Sequence, residues 1–69
     1  MVVATPTNVV DLAVQAGLAK SRGNAKYFVR EGALRFNDVK VVDAERVVDP
    51  SELPGLLSVG NRKVRLVAG

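Results

Sequence analysis

The chain has 69 residues, neither cysteine nor histidine, and a net charge of +3 at neutral pH. That inventory leaves no disulfide framework, no expected zinc site, no Cys or His nucleophile and no imidazole base, so neither catalysis by this chain alone nor a cofactor is expected. One domain is expected at this length, burying about 60% of the surface its unfolded form exposes.

Thr5-Pro6-Thr7 closes a lead-in segment, residues 1–7, and the domain proper is expected over residues 8–69. Asn8 is a good N-cap, with Asp11 in the capping-box position. A first helix is predicted from about Val9 to Ala16, burying a stripe of Val9, Leu12, Ala13 and Ala16 while Asp11 and Gln15 point away. Gly17 supplies its left-handed stop and Leu18 the hydrophobic contact that follows. Ser21 caps a second helix, predicted from about Arg22 to Glu31 and ended by Gly32. So short a connection makes the two helices packed neighbours, with Leu12 and Ala16 facing Ala25, Phe28 and Val29.

From Ala33 the pattern becomes β-like. Leu34-Arg35-Phe36 and Val39-Lys40-Val41 flank Asn37-Asp38, a pair that tolerates the positive φ of a two-residue turn, so a hairpin is predicted with Leu34, Phe36, Val39 and Val41 inward. Asp49-Pro50-Ser51-Glu52 is a compact helix start, and Pro54-Gly55 ends it within about a turn. Leu56 to Val59 and Arg62 to Val67 form a second hairpin through Gly60-Asn61. The fold class is α+β, with two packed N-terminal helices (an αL-type motif) against a small, mostly antiparallel sheet.

Charge is unevenly spread: residues 20–40 sum to +4, residues 41–61 to −3 and residues 62–69 to +3. On the second helix Arg22, Lys26 and Arg30 recur every four residues and stay within roughly 80° of one face. Arg35 and Lys40 follow on the hairpin, and neither Glu31 nor Asp38 lies on the cationic side. Ser21, flanked by Lys20 and Arg22, leaves free amides at the positive end of the helix, a suitable seat for phosphate. Gly23 leaves room for close approach. Tyr27 either stacks on a base beside the cations or packs on the neighbouring strand with its hydroxyl wet. Arg62, Lys63 and Arg65 are either a second cationic patch or the charged edge of a strand.

Asn8-Val9-Val10-Asp11-Leu12, Ala16 to Arg22, Ala25, Phe28-Val29, Gly32, Leu34 to Asn37 and Val39 resemble the RNA-binding domain named after small-subunit ribosomal protein four. Within that family, the Val-Asp-Leu and Ala-Gly-Leu-Ala-Lys-Ser phrases and an end soon after Val59-Gly60-Asn61-Arg62-Lys63 most resemble the C-terminal domain of bacterial-type tyrosyl-tRNA synthetase. The resemblance implies that Lys20, Ser21, Arg22, Lys26, Arg30 and Arg35 face RNA. Implied partners are tRNA, tyrosine tRNA in particular, and the catalytic domain of a parent synthetase that is a homodimer. Asn24 stands where the pattern usually has Glu, which predicts loss of a capping-box partner, and Tyr27 and Ala33 replace a frequent basic residue and a frequent glycine.

Two alternatives remain: an rRNA-binding domain of a pseudouridine synthase or a ribosome-associated heat-shock factor, and a protein-interaction module for an acidic partner. The chain's end after the second hairpin argues against the synthase. The longest apolar runs are a few residues, and Met1-Val2-Val3-Ala4 lacks the features of a signal peptide. A cytoplasmic or organelle-matrix setting with no membrane partner is therefore expected.

Overall fold

In the computed structural model, which describes residues 1–69, helix α1 (Val9–Gln15) begins at the predicted cap. The Asn8 side-chain oxygen accepts the Val10 amide at 2.8 Å, while its Nδ2 donates to the Ala44 carbonyl at 3.0 Å. The cap thus also fastens the helix start to a segment far along the chain. Asp11 does not serve the expected capping box; its carboxylate pairs with Arg22 instead.

Helices α1 and α2 (Arg22–Arg30) stop in the same way. Gly17 has φ +76° and Gly32 φ +73°. The Gly17 and Leu18 amides donate to the carbonyls of Val14 and Ala13, and those of Gly32 and Ala33 to Val29 and Phe28, at 2.8–3.1 Å. Each is a Schellman motif, which satisfies helix carbonyls left without a partner at the last turn. Leu18, 3% exposed, folds back into the core as predicted.

Strands β1 (Val2–Val3), β3 (Leu34–Phe36), β4 (Val39–Lys40), β6 (Gly55–Val59) and β7 (Arg62–Ala68) form one sheet in the order β1-β7-β6-β3-β4. All its pairings are antiparallel except β1 with β7. Asn37 and Asp38, with φ 54° and 65°, make the predicted tight turn between β3 and β4. Two further strands, β2 (Thr7–Asn8) and β5 (Val47–Val48), pair separately. The sequence pattern does not signal β1, because two residues give no period to read. Its evidence is non-local: the Val67 amide donates to Met1 and the Gly69 amide to Val3.

Leu12, Leu34, Leu57, Leu66, Val9, Val10 and Val48 are fully buried between the helices and the inner sheet face. Each such side chain contributes about 1.5–3 kcal/mol by leaving water. Val39, predicted inward, is 69% exposed. It lies at the tip of the hairpin, where the partner residue Phe36 is closed in by other groups: the Arg46 guanidinium stands 5.0 Å from its ring centre, and Gly55 packs so close that a Cβ there would lie 2.7 Å from the ring. Val41, one turn of the pleat further on, is buried as expected.

Asp49 and Glu52 close a capping box around the short 3-10 helix Pro50–Glu52. Hydrogen bonds from the Ser51 amide and hydroxyl hold the Asp49 carboxyl below its ordinary value. Glu52 also receives Arg46 Nη2 at 2.8 Å, so one carboxylate fixes both the short helix and the arginine over Phe36. No helix is long and apolar enough to cross a membrane.

Candidate nucleic-acid interface

The start of α2 is tied by two side chains. Ser21 Oγ accepts the Asn24 amide at 3.1 Å, and Asn24 Oδ1 accepts the Lys20 amide at 2.9 Å. The expected loss of the capping box holds, since Asn24 does not accept the Ser21 amide; its oxygen takes the amide of Lys20, the residue before the cap, instead. Ser21 is extended, with φ −159° and ψ 168°, and this brings the Lys20 amide back over the first turn. The amides of Arg22 and Gly23 have no intrahelical acceptor, and the positive dipole end lies beside them. A Cβ on Gly23 would meet only Ser21 Oγ, at 3.9 Å, so nothing crowds this position in the first turn.

Lys20, Lys26 and Arg30 are exposed, and neither carboxylate ion pair of the protein uses them. Arg22 differs. Its guanidinium is paired with Asp11, so an acid does lie on this side of the helix, supplied by α1 rather than by a sequence neighbour. Packing α1 against α2 brings together two residues 11 positions apart. Tyr27 is 50% exposed and meets Phe28 of its own helix edge-on, with ring centres 5.9 Å apart. Half of its surface remains open for contact beside Lys26 and Arg30.

The other predicted cations are arranged by the sheet. Leu34 and Phe36 are buried on the inner face, so Arg35 between them points to the outer one. Lys40 lies directly opposite Arg35, and its side chain passes close to Gly32 at the end of α2. Arg62, Lys63 and Arg65 separate by the same alternation. Arg62 turns inward and donates from Nη2 to the Gly17 carbonyl at 2.6 Å, while Lys63 and Arg65 face outward. Strand β1 pairs only with Val67 and Ala68, so Arg62 and Lys63 stand on a stretch of β7 that is paired with β6 on one side and has no strand on the other.

Two residues of these surfaces escaped the sequence reading. Ser58 is 5% exposed and lies opposite both Arg35 and Lys63. Its signal was a lone hydroxyl inside the apolar run Leu56-Leu57-Ser58-Val59. Asp11 carried a signal that pointed elsewhere, since its position fits a cap.

Residues 1–54 match the family described as Tyrosine--tRNA ligase SYY-like C-terminal domain. The chain is similar to a tyrosine--tRNA ligase of Rhizobium meliloti (strain 1021), 43% identical over 60 residues, covering 81% of this chain and 14% of the relative. It is also similar to the tyrosine--tRNA ligases of Mycoplasma pneumoniae, 39% identical over 61 residues (88% of this chain, 15% of the relative), and Streptomyces griseus, 50% identical over 44 residues (64% and 10%). The chain thus spans only 10–15% of the length of these curated relatives. The family match takes in both helices, their caps and the first hairpin, and ends before β6. By this match the chain belongs to the SYY-like C-terminal domains of tyrosine--tRNA ligases.

Proposed function

We propose that residues 8–69 form a module that grips tRNA, and tyrosine tRNA in particular, by its phosphate backbone, while the remainder of a homodimeric tyrosine--tRNA ligase performs the ATP-dependent aminoacylation. One observation carries this reading: the exposed cations Lys20, Lys26 and Arg30 have no carboxylate partner, Lys20 beside the amide end of α2 and Lys26 and Arg30 further along the same helix. Such an arrangement holds a phosphate at the helix start and further phosphates along the helix.

The residues divide the work. Ser21 fixes the amides that receive the first phosphate, Lys20 and Lys26 act as point charges, and Arg30 forks onto phosphate oxygens. Arg22 is held by Asp11 and joins when RNA competes for it. Tyr27 offers a ring for stacking beside this stripe, and Arg35 and Lys40 extend the positive field. Contacts of this kind read backbone shape more than base identity. With about five phosphates neutralised, affinity should fall roughly 10²-fold between about 50 and 200 mM salt. Tethering to a dimeric ligase would raise a modest single-domain affinity through effective concentration.

The test is an NMR titration of the isotopically labelled chain with tyrosine tRNA and with an unrelated tRNA, at about 150 mM salt. Amide shifts centred on Lys20 to Lys26 and Arg30, stronger for tyrosine tRNA, are the expected result. Equal shifts with both would reduce the reading to a general RNA clamp, and no shifts with either would overturn it.

A further inference from the structure

The sheet has an outer face, turned away from the helices, on which charge accumulates by register. Lys40, Arg35, Ser58 and Lys63 lie directly opposite one another in a single row across β4, β3, β6 and β7. Arg65 shares this face, two residues along β7 from Lys63. With strands about 4.8 Å apart, the row is about 14 Å long.

Three observations give this row a use. Arg35 and Lys40 are like charges placed directly opposite, an arrangement that opposes folding. Neither of them, nor Lys63 or Arg65, has a carboxylate partner, because both ion pairs of the protein lie elsewhere. Arg35 and Lys63 also flank a depression of about 390 Å³ that includes Ser58. Ser58 is 5% exposed, and none of the side-chain hydrogen bonds within the protein uses its hydroxyl. One acid, Asp38, stands on the rim. Lys40 differs from the other three cations in that its side chain passes Gly32, near the negative end of α2.

We infer that the outer sheet face is a second phosphate-binding track, which takes the sugar-phosphate backbone of a different stretch of RNA from the one held by α2. This rests on the tRNA-clamp reading above and deepens it. Arg35 and Arg65 can fork onto phosphate oxygens, Lys63 supplies a point charge, and the Ser58 hydroxyl donates to an oxygen seated between them. A protein partner fits less well, because protein interfaces centre on an apolar patch depleted in charge, whereas the apolar side chains of this face, Leu56, Val67 and Val2, lie to one side of the charged row from Lys40 to Lys63.

The experiment compares the unsubstituted chain with two triple variants, one of the sheet (Arg35→Gln, Lys63→Gln, Arg65→Gln) and one of the helix (Lys20→Gln, Lys26→Gln, Arg30→Gln). Phosphate-ethylation interference on tyrosine tRNA should show two separate sensitive stretches for the unsubstituted chain. The sheet variant should lose one of them, and its plot of log affinity against log salt should be shallower by about two to three. Its melting temperature should not fall, because the substitutions relieve repulsion. Asp38→Asn, which keeps a residue tolerant of φ 65°, should bind tRNA several-fold more tightly. Retention of both stretches and of the slope by the sheet variant, or no gain from Asp38→Asn, would overturn the inference. If only the helix variant loses tRNA, this inference fails and the clamp reading stands. Loss of binding to the ligase catalytic portion, with tRNA contacts intact, would assign the face to a protein. An unsubstituted chain that binds no tRNA would sink both readings.

Discussion

The helix face and the outer sheet face carry similar numbers of unpaired cations, yet they are assembled by different geometries. Lys26 and Arg30 belong to one helix and align because four residues bring the chain back to the same side. Arg35, Lys40 and Lys63 come from three strands and align only because those strands pair in one register. The first surface therefore depends on the caps and packing of a single element, whereas a one-residue slip in the sheet would turn the whole second row inward. Local damage should injure one face and spare the other, and damage to the shared core should abolish both.

Leu34→Ala should have the largest effect and erase the distinction. Leu34 is wholly buried in the strand that carries Arg35, and its truncation should cost about 2–5 kcal/mol, on the order of the whole stability of a domain this small. Circular dichroism should show a largely unfolded chain at 37 °C or a much lowered melting temperature; a wild-type melt would mean the core is not shared as described. Gly32→Ala should come next, at about 1–2 kcal/mol, because φ +73° suits glycine and not alanine. The added Cβ would also press on Lys40, so chemical-shift changes should reach both the end of α2 and the start of the sheet row.

Ser21→Ala should separate the faces, with a loss near 1 kcal/mol for the missing cap. The tRNA-induced shifts from Lys20 to Lys26 should shrink while those at Arg35 persist, and an equal decline at both would show that they act as one site. Asp11→Asn should be the mildest change. It releases Arg22 from an exposed ion pair of a kind that contributes about 0–1 kcal/mol, so the melt should hardly move. The salt dependence of tRNA binding should nevertheless steepen by about one phosphate contact.

Much of the fold was legible because its signals are local. Asn8, Ser21, Gly17 and Gly32 mark helix ends by the conformations and hydrogen bonds they favour, and Asn37-Asp38 and Gly60-Asn61 mark turns by their tolerance of positive φ. Asp49-Pro50-Ser51-Glu52 carried a complete capping box within four residues. What remained hidden depends on contacts between distant segments. The pairing of Val2–Val3 with Val67–Ala68 joins opposite ends of the chain and leaves no periodic trace in two residues. The Asp11–Arg22 pair follows from packing between the helices, and the exposure of Val39 from the way Arg46 and Gly55 enclose Phe36. The helix stripe could be read from a four-residue spacing. The sheet row could not, because Arg35 and Lys63 become near neighbours only through Ser58.

The bond from Arg62 to the Gly17 carbonyl gives the two cationic surfaces a common frame. It moors the loop that leads to Lys20 and Ser21 onto the strand that carries Lys63 and Arg65, like a brace between the jaws of a calliper. A molecule long enough to touch both jaws would meet a gap already set, and only a partner whose curvature matched that gap could fill both at once. Selectivity would then reside in the spacing between surfaces, even were each surface alone to accept any phosphate backbone.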